Sequence, residues 1–160
     1  AMGGGLPLGA SVGRKEVIEG IQVPTPPTFA CHSLACAAGL KALEILERDR
    51  LWENAARRGA YFLKRFTELK QYHRLIGDVR FKGLMGGVEL VKDDETKQPA
   101  VDESKKIVKK CMEHGVLTMV AGLTGSVMRI QPPLTVSEEH AEMVVDAFDK
   151  ALAAVEKGQD

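Results

Sequence analysis

Apolar positions along this chain recur with two different periods, and the changes of period mark out its elements. Residues 6–12 form a short apolar run that reads as a buried strand or extended segment, and 14–20 as a turn of helix. Pro24, Pro26 and Pro27 then force an extended loop, since each proline removes a donor and turns its predecessor away from helix. Thr28 and Phe29 end that loop, and Ser33 is placed to cap a helix running to about Asp49. Leu34, Ala35, Ala38, Leu40, Leu43 and Leu46 leave that helix little polar face, so the pattern predicts burial between two lobes.

From residue 51 the pattern becomes amphipathic. Trp52, Ala55, Phe62, Phe66 and Leu69 fall at helical spacing over 51–71, with Arg57, Arg58, Lys64 and Lys70 opposite. Residues 78–91 alternate and predict a strand broken at Gly83 or at Gly86 and Gly87; 92–100 is a polar turn. Ile107, Val108, Cys111 and Met112 make 103–114 an amphipathic helix closed by Gly115. Two short strands follow at 116–120 and 126–130, joined by a turn over 122–125 and stopped by Pro132 and Pro133. Thr135-x-x-Glu138 has the form of a capping box, ahead of a last helix striped by Ala141, Val144, Val145, Phe148, Leu152 and Val155. The order helix, strand, helix, strand, strand, helix predicts a two-layer α+β lobe, with helices on one side of a small, mainly antiparallel sheet.

Composition narrows the function classes. The 160 residues carry 22 basic and 22 acidic side chains, so no net positive field invites a nucleic acid, which is excluded as an expected partner. No apolar run approaches the ~20 residues of a bilayer span, so no membrane partner is expected either. Cys31, Cys36 and Cys111 are odd in number and form no C-x-x-C pair; reduced thiols in a cytoplasm-like compartment are the simplest reading.

Candidate chemistry is sparse. Glycines 3–5 match neither the dinucleotide nor the phosphate-loop fingerprint and by themselves read as a turn. Cys31, His32 and Cys36 lie close together, but no second cluster completes a tetrahedral set, so no metal is expected. His73, His114 and His140 fall near helix ends, where a solvated surface role is predicted. Arg129 stands out. It lies in a strand whose pattern places it partly inside, ahead of the rigid Gln131-Pro132-Pro133-Leu134. A guanidinium there requires an anionic partner, either a ligand carboxylate or phosphate or an acid elsewhere in the chain. Thr28, after a proline-fixed loop, can donate to a phosphate or simply bond its own backbone.

Five segments in register resemble the class-III pyridoxal-phosphate-dependent aminotransferases. They are Gly-Gly-Gly-Leu-Pro-Leu-Gly-Ala at 3–10, Thr28-Phe29, Leu-Ala-Cys-Ala-Ala at 34–38, Gly-Leu-Met-Gly-Gly-Val-Glu-Leu at 83–90, and Arg129 ahead of Pro-Pro-Leu. The resemblance implies a parent of α/β fold type I, working as a homodimer, with pyridoxal 5'-phosphate as cofactor. Residues 1–48 would then be the end of the cofactor-binding large domain with the interdomain helix, and 49–160 the small α+β domain. It implies that Thr28, with Phe29, binds the cofactor phosphate of the neighbouring subunit, and that Arg129 clamps the substrate carboxylate. The Schiff-base lysine would fall just before Ala1, so the chain alone is expected to be inactive, a carboxy-terminal fragment. Ala30-Cys31-His32-Ser33 departs from the family's usual glycine–asparagine–proline turn.

The implied reaction passes an amino group from an amine or amino-acid donor to a 2-oxo acid. Residues 122–134 look most like the 4-aminobutyrate group, which implies an ω-amine or 4-aminobutyrate-like donor. Ornithine or acetylornithine aminotransferases and related aminomutases and racemases are the alternatives within the resemblance. A non-catalytic assembly module is the alternative outside it.

Overall fold

The computed structural model describes residues 2–20 and 32–158, and the chain divides into two compact units, Ala1–Leu51 and Trp52–Asp160. In the first unit the glycine-rich start is a turn, closed by the Leu6 N–H donating to the Gly3 carbonyl at 3.0 Å. The run at 6–12 is not a buried strand: it has no regular structure, and Val12 is almost wholly exposed. Too short an apolar run, interrupted by Pro7 and Gly9, gives no ladder to join. Helix α1 spans Lys15–Glu19 and α2 spans Ser33–Arg48. His32, and not Ser33, is the residue before the first turn of α2, and it makes no side-chain cap. Only Ala35 and Gly39 of α2 are buried, while Leu34, Leu40 and Leu43 are exposed.

The second unit is the expected α+β lobe. Helix α3 (Leu51–Leu69) leads to strands β1 (Ile76–Lys82) and β2 (Met85–Leu90), helix α4 (Val101–Glu113), strands β3 (Met119–Ala121) and β4 (Val127–Ile130), and helix α5 (Glu138–Glu156). The strands form one antiparallel sheet in the order β1-β2-β4-β3. The single broken strand read at 78–91 is a hairpin starting two residues earlier, and the break falls at Gly83, where φ is 54°.

One face of the sheet carries the core. Val88 and Leu90 of β2 and Met128 and Ile130 of β4 are buried against Phe62 and Phe66 of α3, Ile107 and Cys111 of α4, and Val145, Phe148 and Leu152 of α5. Phe81 of β1 stacks on Phe62 and Phe66 at centroid distances of 5.8 and 5.9 Å, and Phe66 meets Phe148 edge-on at 5.3 Å. These rings tie β1, α3 and α5 together, each contact adding about 0.5–1.5 kcal/mol beyond its buried area.

The chain ends its helices by recognisable devices. After α4, Gly115 at φ 79° lets Val116 N–H reach the Cys111 carbonyl and Gly115 N–H reach that of Met112, at 2.9 and 3.0 Å. That double closure is the Schellman arrangement, and it buries Val116 beside Cys111, so residues 116–118 lead into β3 without being part of it. At α5 the cap is Ser137, whose hydroxyl accepts from the His140 N–H at 3.1 Å. The Thr135-x-x-Glu138 box is therefore displaced by two residues, because Glu138 is already the first residue of the helix.

Candidate functional site

Alternation along each strand sends half of its residues to the second face of the sheet, away from the core. Asp78, Arg80 and Lys82 of β1, Met85, Gly87 and Glu89 of β2, Val127 and Arg129 of β4, and Met119 and Ala121 of β3 share it. The register sets Arg80 opposite Gly87, Gly87 opposite Arg129, and Arg129 opposite Met119. Two guanidinium groups thus flank one residue without a side chain. The neighbouring row runs Asp78, Glu89, Val127, Ala121.

Arg129 is exposed on this face and not partly inside as its strand pattern predicts. Its buried neighbours Met128 and Ile130 point to the core, and period-two alternation sends Arg129 the other way. Its guanidinium donates to the neutral amide oxygen of Gln131, and among the described residues no carboxylate is brought to it. Thr118 Oγ1 donates to the Arg129 carbonyl at 3.0 Å, pinning the end of β4. Beside it opens a cleft of about 610 Å³, lined among others by Thr118, Met119, Arg129, Gln131, Pro132 and Met143. An exposed fork of N–H donors against a largely apolar wall suits a carboxylate with a hydrocarbon tail.

Arg80 is engaged differently. Its Nη1 donates to Glu89 Oε2 at 2.7 Å and also bonds Asp78. The Glu89 hydrogen bond first, and the Asp78 one next, hold the guanidinium above its ordinary pKa. Sequence reasoning missed this cluster. Asp78 and Arg80 two apart on one strand face were the legible part; Glu89 joins them only through the β1–β2 register.

The other expectations divide. Thr28 and Phe29, the residues implied to bind the cofactor, lie outside the described residues, as does Cys31. Among the described residues no group of three potential metal ligands forms, and none of the helices is long and apolar enough to cross a membrane. His114 and His140 are exposed as read, but His73 is not. It is buried, with Nε2 2.7 Å from Asp149 and Nδ1 3.0 Å from Glu156 of α5, while Glu156 also accepts from the Leu75 N–H at 3.0 Å. Both of its acid partners come from α5, far from it in sequence. Cys111 is buried in the core, and desolvation pushes its thiol pKa up to about 12.

The model of the family described as aminotransferase class-III matches residues 1–152. This chain belongs to the class-III aminotransferases. It is 44% identical over 163 residues to the leucine/methionine racemase of Thermococcus litoralis, covering 99% of this chain and 35% of that protein. It is 42% identical over 154 residues to alanine–glyoxylate aminotransferase 2 homolog 2, mitochondrial, of Arabidopsis thaliana, covering 95% and 32%. Among solved structures it matches a PLP-bound amine transaminase from an uncultivated Pseudomonas species with a TM-score of 0.75 and 34% identity, over 82% of this chain and 30% of that one. The chain thus spans about a third of the length of the relatives it matches. The family is dependent on pyridoxal phosphate, and the small four-stranded domain seen here matches part of the fold of its transaminases.

The described residues fit the substrate side of such a cofactor site. Arg129 offers an exposed guanidinium whose side-chain bond is to a neutral amide, so an incoming carboxylate displaces no buried ion pair.

Proposed function

We propose that this chain supplies the carboxylate-orienting part of a pyridoxal-phosphate enzyme that transfers an amino group from an amine or amino acid to a 2-oxo acid. The observation that carries the reading is Arg129: an exposed guanidinium at the end of a pinned strand, beside an apolar cleft, bonded among the described residues to a neutral amide. Bidentate pairing there fixes both the position and the rotation of a substrate carboxylate, which presents the amino-bearing carbon in one orientation. Pyridoxal phosphate, when bound, supplies an electron sink for the bond broken at that carbon. Thr28, through its hydroxyl, and Phe29 are the residues of this chain that would hold the cofactor phosphate, across the interface of a homodimer.

Within this reading the donor is an ω-amine or a 4-aminobutyrate-like amino acid, supported by the character of residues 122–134. A second reading, amino-acid racemisation, is favoured by the 44% identity to a leucine/methionine racemase. Both need Arg129 for the carboxylate and differ in where the amino group ends. Full-length protein with pyridoxal phosphate, given L-amino acids with and without a 2-oxo acid, separates them: loss of optical activity without an acceptor means racemisation, and a new amino acid from the acceptor means transfer. Arg129→Lys keeps the charge but loses the fork, and is expected to weaken carboxylate substrates by about 1–3 kcal/mol. Unchanged kinetics would make Arg129 a structural residue and end the proposal.

A further inference from the structure

We propose that Arg80 is a positioning residue that holds Glu89 away from Arg129 and so keeps the Arg129 guanidinium available to substrate carboxylates. The inference rests on the carboxylate role proposed for Arg129.

Three facts of register and bonding support it. Glu89 pairs with Val127 while Gly87 pairs with Arg129, so Glu89 and Arg129 are diagonal neighbours on adjacent antiparallel strands. Diagonal partners on one sheet face lie about 7–8 Å apart, within reach of two long side chains. Gly87 puts no side chain between them, and Val127, opposite Glu89, is apolar and offers Glu89 no competing bond.

A half-exposed carboxylate beside a free guanidinium pairs with it unless something else holds it. Here Arg80 does so: its Nη1 takes Glu89 Oε2 at 2.7 Å from the far side of β2. Asp78 bonds the same nitrogen, which fixes the Arg80 side chain over its own strand. Among the described residues, two carboxylates therefore sit on Arg80 and none on Arg129. Removing Arg80 would leave Asp78 and Glu89 without their cation, and the nearest remaining guanidinium on that face is Arg129. Glu89 would then act as a tethered competitor for the substrate site.

The test uses the full-length protein with pyridoxal phosphate and four variants: Arg80→Ala, Glu89→Gln, the double variant, and Arg129→Lys. Arg80→Ala is expected to raise KM for a carboxylate-bearing amino acid roughly 5- to 30-fold with kcat little changed, and to leave KM for an amine without a carboxylate alone. Binding of propanoate, followed by NMR shifts of the arginine Nε–H signals, should weaken by the same factor. Glu89→Gln alone should bind propanoate at least as well as the parent, and in the double variant it should restore parental binding. A merely structural Arg80 gives no such carboxylate-selective rescue. If Arg80→Ala leaves propanoate binding unchanged, or Glu89→Gln fails to rescue it, the positioning role is wrong. If Arg129→Lys also leaves propanoate binding unchanged, the carboxylate site itself is wrong.

Discussion

Cys111 shows at the residue scale how burial alone changes chemistry. Nothing charged approaches the thiol; desolvation raises its pKa to about 12 from an ordinary 9.0. The protonated form is thus favoured in the fold, and the folded state binds the extra proton between those two values. Stability from this group is fully present below about pH 9 and is lost as pH rises toward 12. Native protein at pH 8 is expected to leave Cys111 unalkylated by iodoacetamide, with reaction appearing on denaturation; rapid labelling of the native state, read by mass spectrometry, would contradict the burial. Arg129 makes the complementary point. Its identity and its place before Pro-Pro-Leu were legible, but its exposure was not, because a four-residue strand is too short for its own alternation to say which face is inside. The partners on β2 decide that.

Elements meet where backbones approach, and Gly59 marks the closest case. A Cβ there would fall 2.1 Å from the Gly83 carbonyl oxygen, so the middle of α3 rests directly on the β1–β2 turn. Backbone cannot step aside as a side-chain tip can. Gly59→Ala is therefore expected to destabilise the lobe by about 1–3 kcal/mol despite alanine's better helix propensity, measured as a lower urea midpoint at unchanged slope. A second junction is His73, between Asp149 and Glu156. His73→Ala removes both bonds and leaves two carboxylates facing a gap. A loss of about 2 kcal/mol is expected, and a calorimetric Tm equal to the parent's would show that the contact carries no weight. The amphipathic stripes of α3, α4 and α5 fixed which helices exist and which faces they bury. They could not announce these two junctions, since each depends on a segment more than 20 residues away in sequence.

For the molecule as a whole, the contrast between the two units is chemical. The second unit holds a large buried apolar cluster, whereas of α2 only Ala35 and Gly39 are buried and Leu34, Leu40 and Leu43 are between 48% and 71% exposed. Contiguous exposed apolar surface drives association, so this chain by itself is expected to self-associate at micromolar concentration, and Leu40→Glu with Leu43→Glu to reduce it. Sedimentation velocity showing a monomer throughout would refute this. The amino-acid order by itself determined the helices and the two-layer α+β lobe, because periodicity and local punctuation are properties of neighbours along the chain, and its motifs carried the resemblance to the family. It also singled out Arg129 as a cation needing an anion. Only the tertiary structure decided that Arg129 is exposed on the second face across Gly87 from Arg80, that Glu89 is bonded to one and diagonal to the other, and that His73 is enclosed. Those facts depend on strand register and on the return of α5, and a one-residue shift in the register of β4 would send Arg129 to the opposite face.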